Sequence, residues 1–318
     1  MLYRVACLGV ALFTAASTAW SADFPSRPVR MIIGYTAGGN TDIISRVLAV
    51  AMQKKLGQPV IVENRPGATA VIAREVVAKA APDGYTLLGD TSSFAAYPAF
   101  TRNPTMNLQK AFTPISLLSQ QGGVIVASAN APFNTFQEMV AYAKANPGKL
   151  NYSNIGGGVT LLHFEAIKAD YGIDMVGVTY KGSGDTYNAV LAGEVQLSSQ
   201  SIGRVVADVA NKRVKAIMVD GNKRYPALPN TPTAAEIGFN GFYQSWQGLW
   251  GPAGLPPDIV KTLHAAVVDA GQAKEVKDTL DHLEATALMT SPEGLAQRVE
   301  RDSREWTELV RKAHIPLQ

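Results

Sequence analysis

A chain of 318 residues, 47% hydrophobic, has the length of two ordinary α/β domains, each large enough to bury its own core. Its 29 basic and 26 acidic residues give a formal charge of +3, and they are interspersed without a basic stripe, which excludes a nucleic-acid surface. One cysteine and four scattered histidines, with no His-x-x-x-His spacing, exclude a disulfide framework and the common metal motifs.

The chain starts with a secretory layout over residues 1–21: one basic residue, Arg4, an apolar stretch from Val5 to Ala16, then small residues. That stretch is too short to span a bilayer. A cut after Ser21 is preferred to one after Ala19. Cys7, the only cysteine, leaves with this segment, so the mature chain has no thiol chemistry although its compartment is oxidising. No lipoprotein context surrounds Cys7. Loss of Arg4 takes the charge from +3 to +2. No later apolar run reaches roughly 18 residues, so the mature chain is expected to be soluble.

Val29 to Ile33 is a short apolar run, followed by the Gly-rich turn Gly34 to Asn40 and a helical pattern carrying Ile44, Val47, Leu48 and Ala51. Thr41 or Asp42 stands where an N-cap is expected. Free N–H groups and the positive end of the helix dipole make this turn a seat for an anion, approached over Gly38 and Gly39. Strands at Pro59–Val62 and Tyr85–Leu88, with a helix over Val71–Ala80, complete an alternation that predicts a mostly parallel, doubly wound sheet. Ligands gather at the carboxyl ends of such strands, which places Gly34–Asp42 and Asp90–Phe94, including Thr91 and Ser92, at one edge.

Two extended segments around Gln121-Gly122-Gly123 mark the first crossing between domains. A helix over Thr135–Ala145 follows. The strand–glycine–helix arrangement then recurs: Leu150 to Ser153, the loop Asn154 to Thr160 with Gly156, and a helix carrying Leu161, Leu162 and Phe164. Val176–Tyr180 leads into Lys181-Gly182-Ser183-Gly184. Strands at Val195–Gln200 and Val214–Val219 flank a helix at Ile202–Ala210, a short helix is expected at Thr233–Ile237, and Gln244–Leu249 is the return crossing. The tail is helical over Pro257–Gln272, Gln272–His282 and Pro292–Lys312. These crossings divide the chain into lobe 1, residues 22–122 and 248–318, and lobe 2, residues 123–247.

Seven stretches in register, among them Ala37-Gly-Gly-Asn-Thr-Asp42, Val62-Glu-Asn-Arg-Pro-Gly-Ala68, Ala81-Pro-Asp-Gly-Tyr-Thr-Leu87 and Trp250-Gly-Pro-Ala-Gly254, resemble the Bug or TctC family of periplasmic receptors for tripartite tricarboxylate transporters. The resemblance implies a type II periplasmic-binding-protein fold, two doubly wound α/β lobes with a ligand cleft between them. It further implies a periplasmic, monomeric solute-binding protein without cofactor, which passes a small organic acid to membrane permease subunits. The acid is an aliphatic dicarboxylate, or an aromatic acid if Tyr35, Phe94 and Trp246 all face the cleft. By the same resemblance Tyr35, Gly38, Gly39, Asn40, Thr41 and Asp42 would hold one carboxylate. Ser153, Gly156, Thr160, His163, Tyr180, Lys181 and Gly182 would close on the other end. Val195-Gln-Leu-Ser-Ser-Gln200 and Thr36-Ala37 depart from the family pattern near the cleft.

Arg204 is a further candidate as a bidentate carboxylate clamp. A sensor that shows its closed form to a signalling partner is the alternative reading. A hydrolase is the third, and it lacks the Gly-x-Ser-x-Gly elbow, since Gly182-Ser183-Gly184 is shifted from that spacing.

Overall fold

The computed structural model describes residues 24–155, 158–180, 182–239, 244–312, 314, 315 and 317; the expected leader, Gly156 and Lys181 lie outside them. The first βαβαβ unit runs β1 (Val29–Ile33), α1 (Asn40–Leu56), β2 (Val60–Asn64), α2 (Val71–Ala78) and β3 (Thr86–Thr91). Then come α3 (Ser93–Phe100), α4 (Leu108–Ala111), β4 (Phe112–Gln121), β5 (Gly123–Ser128), α5 (Phe136–Ala145), β6 (Asn151–Asn154), α6 (Val159–Tyr171) and β7 (Val176–Thr179). The remainder is α7 (Ser183–Ala192), β8 (Leu197–Ser201), α8 (Ile202–Ala210), β9 (Val214–Val219), β10 (Ser245–Pro252), α9 (Pro257–Gln272), α10 (Lys274–His282), β11 (Ala285–Ala287) and α11 (Pro292–Lys312).

The strands form a six-stranded sheet, β11-β4-β10-β3-β1-β2, and a five-stranded sheet, β7-β6-β8-β5-β9. β1 is apolar apart from Arg30, which pairs with Glu63 of β2, because helices cover both sheet faces. Met31 and Ile33 pack with Ile44, Leu48 and Leu263, while Ile32 packs with Val77, Phe94 and Trp306 on the other side, as a period of two requires. The smaller sheet has equivalent clusters around Phe136, Tyr152 and Phe164 and around Val124, Val190 and Ile202.

Strand directions bring the two carboxyl edges together. β1 pairs in parallel with β2 and β3, and β10 runs antiparallel to both β3 and β4, so β4 ends at the same edge as β3. In the other sheet β6 is parallel to β7 and β8, and β5 is antiparallel to β8, so β5 starts where β6 and β8 end. Gly122 alone joins β4 to β5. One edge therefore passes into the other through a single residue. A Cβ on Gly122 would run into the Tyr225 ring and hydroxyl, so any larger residue must displace that side chain.

Two expectations change. Ser245, Trp246 and Gln247 pair with β3 and β4, so most of Gln244–Leu249, expected as the return crossing, is strand of the six-stranded sheet. The expected helix at Thr233–Ile237 is a series of turns. Thr233 and Glu236 cap one another, Thr233 N–H to Glu236 Oε2 and Glu236 N–H to Thr233 Oγ1, yet Thr233 is held on β9 by a bridge to Val219. α3, for which the sequence predicts no element, carries Pro98, and its all-round apolar pattern shows no amphipathic period because it is buried between sheet and α11.

Candidate functional site

At the edge of the larger sheet, the turn after β1 is shaped by Asp42, which does not cap α1 as expected. Gly39 is the N-cap and has no side chain to offer, so Asp42, in the first turn, reaches back instead. Its Oδ2 accepts from the Gly38 N–H at 3.0 Å, and its Oδ1 accepts from Arg46 Nε and Asn64 Nδ2, each at 2.9 Å. Asn64 Nδ2 also donates to the Tyr35 carbonyl at 3.0 Å. Asp42 thus ties the turn to α1 and to the end of β2, while the N–H groups of Asn40 and Thr41 stay at the open helix terminus. Thr41 is half-buried, and Gly38 and Gly39 are exposed. Asn40 Nδ2 lies 3.5 Å from Gln121 Oε1 at the crossing.

Burial alone would raise the Asp42 carboxyl, but the hydrogen bonds from Arg46, Gly38 and Asn64 outweigh it and hold the group below its ordinary value. With a folded value below the unfolded one of about 3.9, the stabilisation is complete above that pH and is lost as pH falls through the folded value. The difference in melting temperature between wild type and Asp42→Asn therefore narrows below about pH 4; a constant difference would exclude this linkage. Asp42→Ala, which frees the turn, is expected to weaken ligand binding at least tenfold, about 1.4 kcal/mol, by calorimetry.

Behind the turn lies a buried charged cluster that the sequence did not signal. Arg74, on α2 and 1% exposed, donates from Nε to Asp90 Oδ2 and from Nη2 to Ser93 Oγ, both at 2.7 Å. The Tyr35 hydroxyl donates to Asp90 Oδ1 at 2.9 Å and lies 2.7 Å from Thr91 Oγ1 and 2.6 Å from Ser93 Oγ. Burial first, and then the Asp90 carboxylate, push the Tyr35 hydroxyl well above its ordinary value. Gly34 lets this cluster close, because a Cβ there would run into Ala70. Ser92 is buried, and its N–H donates to the Trp246 carbonyl.

On the facing edge Ser153 is buried, its Oγ 2.7 Å from Ser198 Oγ, which also receives Gln200 Nε2 at 2.7 Å; Gln200 donates to Thr186 Oγ1 as well. His163 is 1% exposed, with Nδ1 2.9 Å from Ser199 Oγ and Nε2 3.1 Å from Asp220 Oδ1. Ser153 and His163 thus stand behind the edge, joined to strands β8 and β9. Thr160 is half-buried, with its hydroxyl unbonded among the described residues. The Tyr180 N–H donates to the Asn154 carbonyl, and burial, then Glu194, raise its hydroxyl. Gly182 is the N-cap of α7.

Two anticipated walls are core instead. Trp246 is fully buried, its Nε1 donating to Asp302 Oδ2 at 2.7 Å, and Phe94 is stacked on Trp250 at 4.4 Å. Arg204 is exposed, with its guanidinium 5.8 Å from the Tyr187 ring. Two cavities line α11 on the larger sheet, the more enclosed one about 220 Å³ among Phe94, Phe112 and Trp250; neither is lined by residues of the facing edges. Among the described residues no cluster of His, Asp and Glu is arranged as a metal site, and no helix is long and apolar enough to cross a membrane.

Two doubly wound sheets, joined at their carboxyl edges and carrying helix N-termini on both sides, define a two-lobed solute-binding protein of the periplasmic type. Solved structures agree: the periplasmic binding protein BugD matches with a TM-score of 0.81 at 32% identity, over 93% of this chain and 100% of that one. Residues 44–315 match the tripartite tricarboxylate transporter family receptor model, and the chain belongs to that family. A UPF0065 protein of Bordetella pertussis is 36% identical over 276 residues, 86% of this chain and 84% of that protein. MatC from Rhodopseudomonas palustris, solved with bound malate, is similar with a TM-score of 0.80 and 31% identity, over 90% of this chain and 100% of that one.

Proposed function

We propose that this receptor captures a small aliphatic dicarboxylate in the periplasm, as a monomer, and delivers it to membrane permease subunits. The observation that carries the reading is the ring of helix N-termini. α1 starts at one edge, and α6 and α7 start at the other, so free N–H groups and positive dipole ends converge from both lobes. Asp42 and Asp90 already have partners in Arg46 and Arg74, and Asp220 is buried 3.1 Å from His163, which leaves the backbone to receive an anion.

The N–H groups of Gly39, Asn40 and Thr41 hold one carboxylate. Thr160, Tyr180 and Gly182 close on the other end, together with Gly156 and Lys181. Lobe 1 comprises the six-stranded sheet with its helices, and lobe 2 the five-stranded one. An aliphatic acid is favoured over an aromatic one because Phe94 and Trp246 are core residues.

Ser199, His163 and Asp220 form a serine–histidine–aspartate chain by distance. All three are buried, Ser199 at 7% exposure, so no acyl group can reach the hydroxyl, and the reading is a binding protein rather than a hydrolase. MatC with its malate supports the ligand class.

A thermal-shift panel on the chain starting at Ala22 tests this, with mono-, di- and tricarboxylates, aromatic acids, amino acids and sugars. A ligand at about 100 times its dissociation constant adds about 2.7 kcal/mol, which is a shift of several degrees. Shifts from dicarboxylates are expected; a shift from sugars alone would overturn the reading.

A further inference from the structure

α6 follows β6 of the smaller sheet, yet its apolar residues are divided between the two sheets. Phe164, Ala166 and Ile167 lie in the smaller sheet's own cluster with Phe136 and Tyr152. Leu162, fully buried, lies instead in the cluster of the larger sheet, with Trp306 and Val310 of α11. Val159 packs against that same cluster, while Leu161 and, from α11, Leu309 pack against both. α6 and α11 are thus in direct contact. An apolar seam joins the two sheets at a second place, far along the chain from the crossing at Gly122.

Each helix is fixed to its own sheet. On α11, Leu295 and Val299 are buried against the larger sheet, and Arg298 Nη1 donates to Gln120 Oε1 of β4 at 2.7 Å. On α6, His163 meets Ser199 of β8 and Asp220 at the end of β9. The helical turn that carries Leu161 and Leu162 also carries Thr160, read above as closing on the ligand. When that turn swings away from the α1 terminus, it leaves α11 as well. Opening the cleft therefore returns the apolar surface of the seam to water, which opposes opening.

We propose that the α6–α11 seam is a latch for the closed form, in which Leu161, Leu162, Trp306 and Leu309 raise ligand affinity without touching the ligand. This rests on the two-lobed carboxylate reading above and adds residues that position the closing turn. A ligand shifts an equilibrium between two forms only through its preference for one of them. Its apparent affinity then scales with the population of the competent form. Weakening the seam lowers that population and leaves every ligand contact in place.

The test combines calorimetry, using succinate, malate and adipate, with small-angle scattering of the ligand-free chain starting at Ala22. Leu162→Ala should bind the tightest of these acids about tenfold more weakly than wild type, and Leu162→Met, which keeps the volume, should stay near wild type. Ile167→Ala is the control. Ile167 is also fully buried on α6 but in the smaller sheet's own core, so its loss should lower stability and leave affinity unchanged. Leu309→Ala, at a half-buried position, takes the place of Leu162→Ala if that variant does not fold, with a loss of about threefold. Ligand-free Leu162→Ala should also show a larger radius of gyration than this structure gives. An unchanged affinity in Leu162→Ala, or an equal loss in Ile167→Ala, overturns the latch while the carboxylate reading stands. Absence of binding by every acid overturns the carboxylate reading, and scattering then decides the latch alone: an expanded Leu162→Ala protein upholds it and a compact one overturns it.

Discussion

Arg74→Met is expected to lower the stability of the chain by about 3–5 kcal/mol, because it leaves Asp90 as a buried charge without its partner. Both side chains are almost fully enclosed, at 1% and 0% exposure. Arg74 also stacks its guanidinium against Phe94 and Tyr97, at 5.7 and 5.5 Å, so the apolar packing of its stem is lost as well. Against a total of about 5–15 kcal/mol for an ordinary protein, the variant is marginal. Urea unfolding measures the loss. The double variant Arg74→Met with Asp90→Leu should recover part of it, since replacing both members of a buried pair is often near neutral. A single-variant loss below about 1 kcal/mol would mean that the pair behaves as an exposed one.

Trp246→Ala is expected to cost about 3–5 kcal/mol, the range for deleting a buried aromatic side chain. Trp246 is fully buried beside Trp250 and under α11, and Asp302 would lose its indole donor. Arg298 and Arg301 still donate to Asp302, so the acid keeps its charge partners and the loss is mainly one of packing. Ligand affinity of the remaining folded protein should change little. An affinity loss in the milder Trp246→Phe variant would put the indole in the binding site after all, in conflict with its burial.

Much of this architecture was legible along the chain. The apolar runs of β1, β5 and β9 and the amphipathic periods of α8 and α11 are local patterns, and a strand–glycine–helix order repeated in both halves predicts two edges of the same kind. Legibility ended where a residue's role depends on a neighbour distant in sequence. Glycines 38 and 39 look decisive because they are adjacent. Gly34 is held by a different constraint: Ala70, from another loop, occupies the place of its Cβ. Arg74 reads as one more polar residue on α2, and nothing within a helix period shows that its guanidinium meets Asp90 sixteen positions later.

The same limit separates candidates of identical type. Trp246 and Tyr35 read alike as apolar walls, but β10 directs Trp246 into the packing of α11, while Tyr35 turns its hydroxyl onto Asp90. His163 and Thr160 lie on one helix within three residues. Helical rotation carries the histidine to Ser199 and Asp220 and leaves the threonine hydroxyl unbonded among the described residues.

By itself the sequence determined the order of strands and helices, the two glycine-led turns and the family, because hydrophobic periodicity and turn chemistry are written locally. Only the tertiary structure decided which polar groups remain available to a ligand. Hydrogen bonds are satisfied between elements distant along the chain: the Tyr35 hydroxyl is taken up by Asp90, while the Thr160 hydroxyl stays unbonded among the described residues.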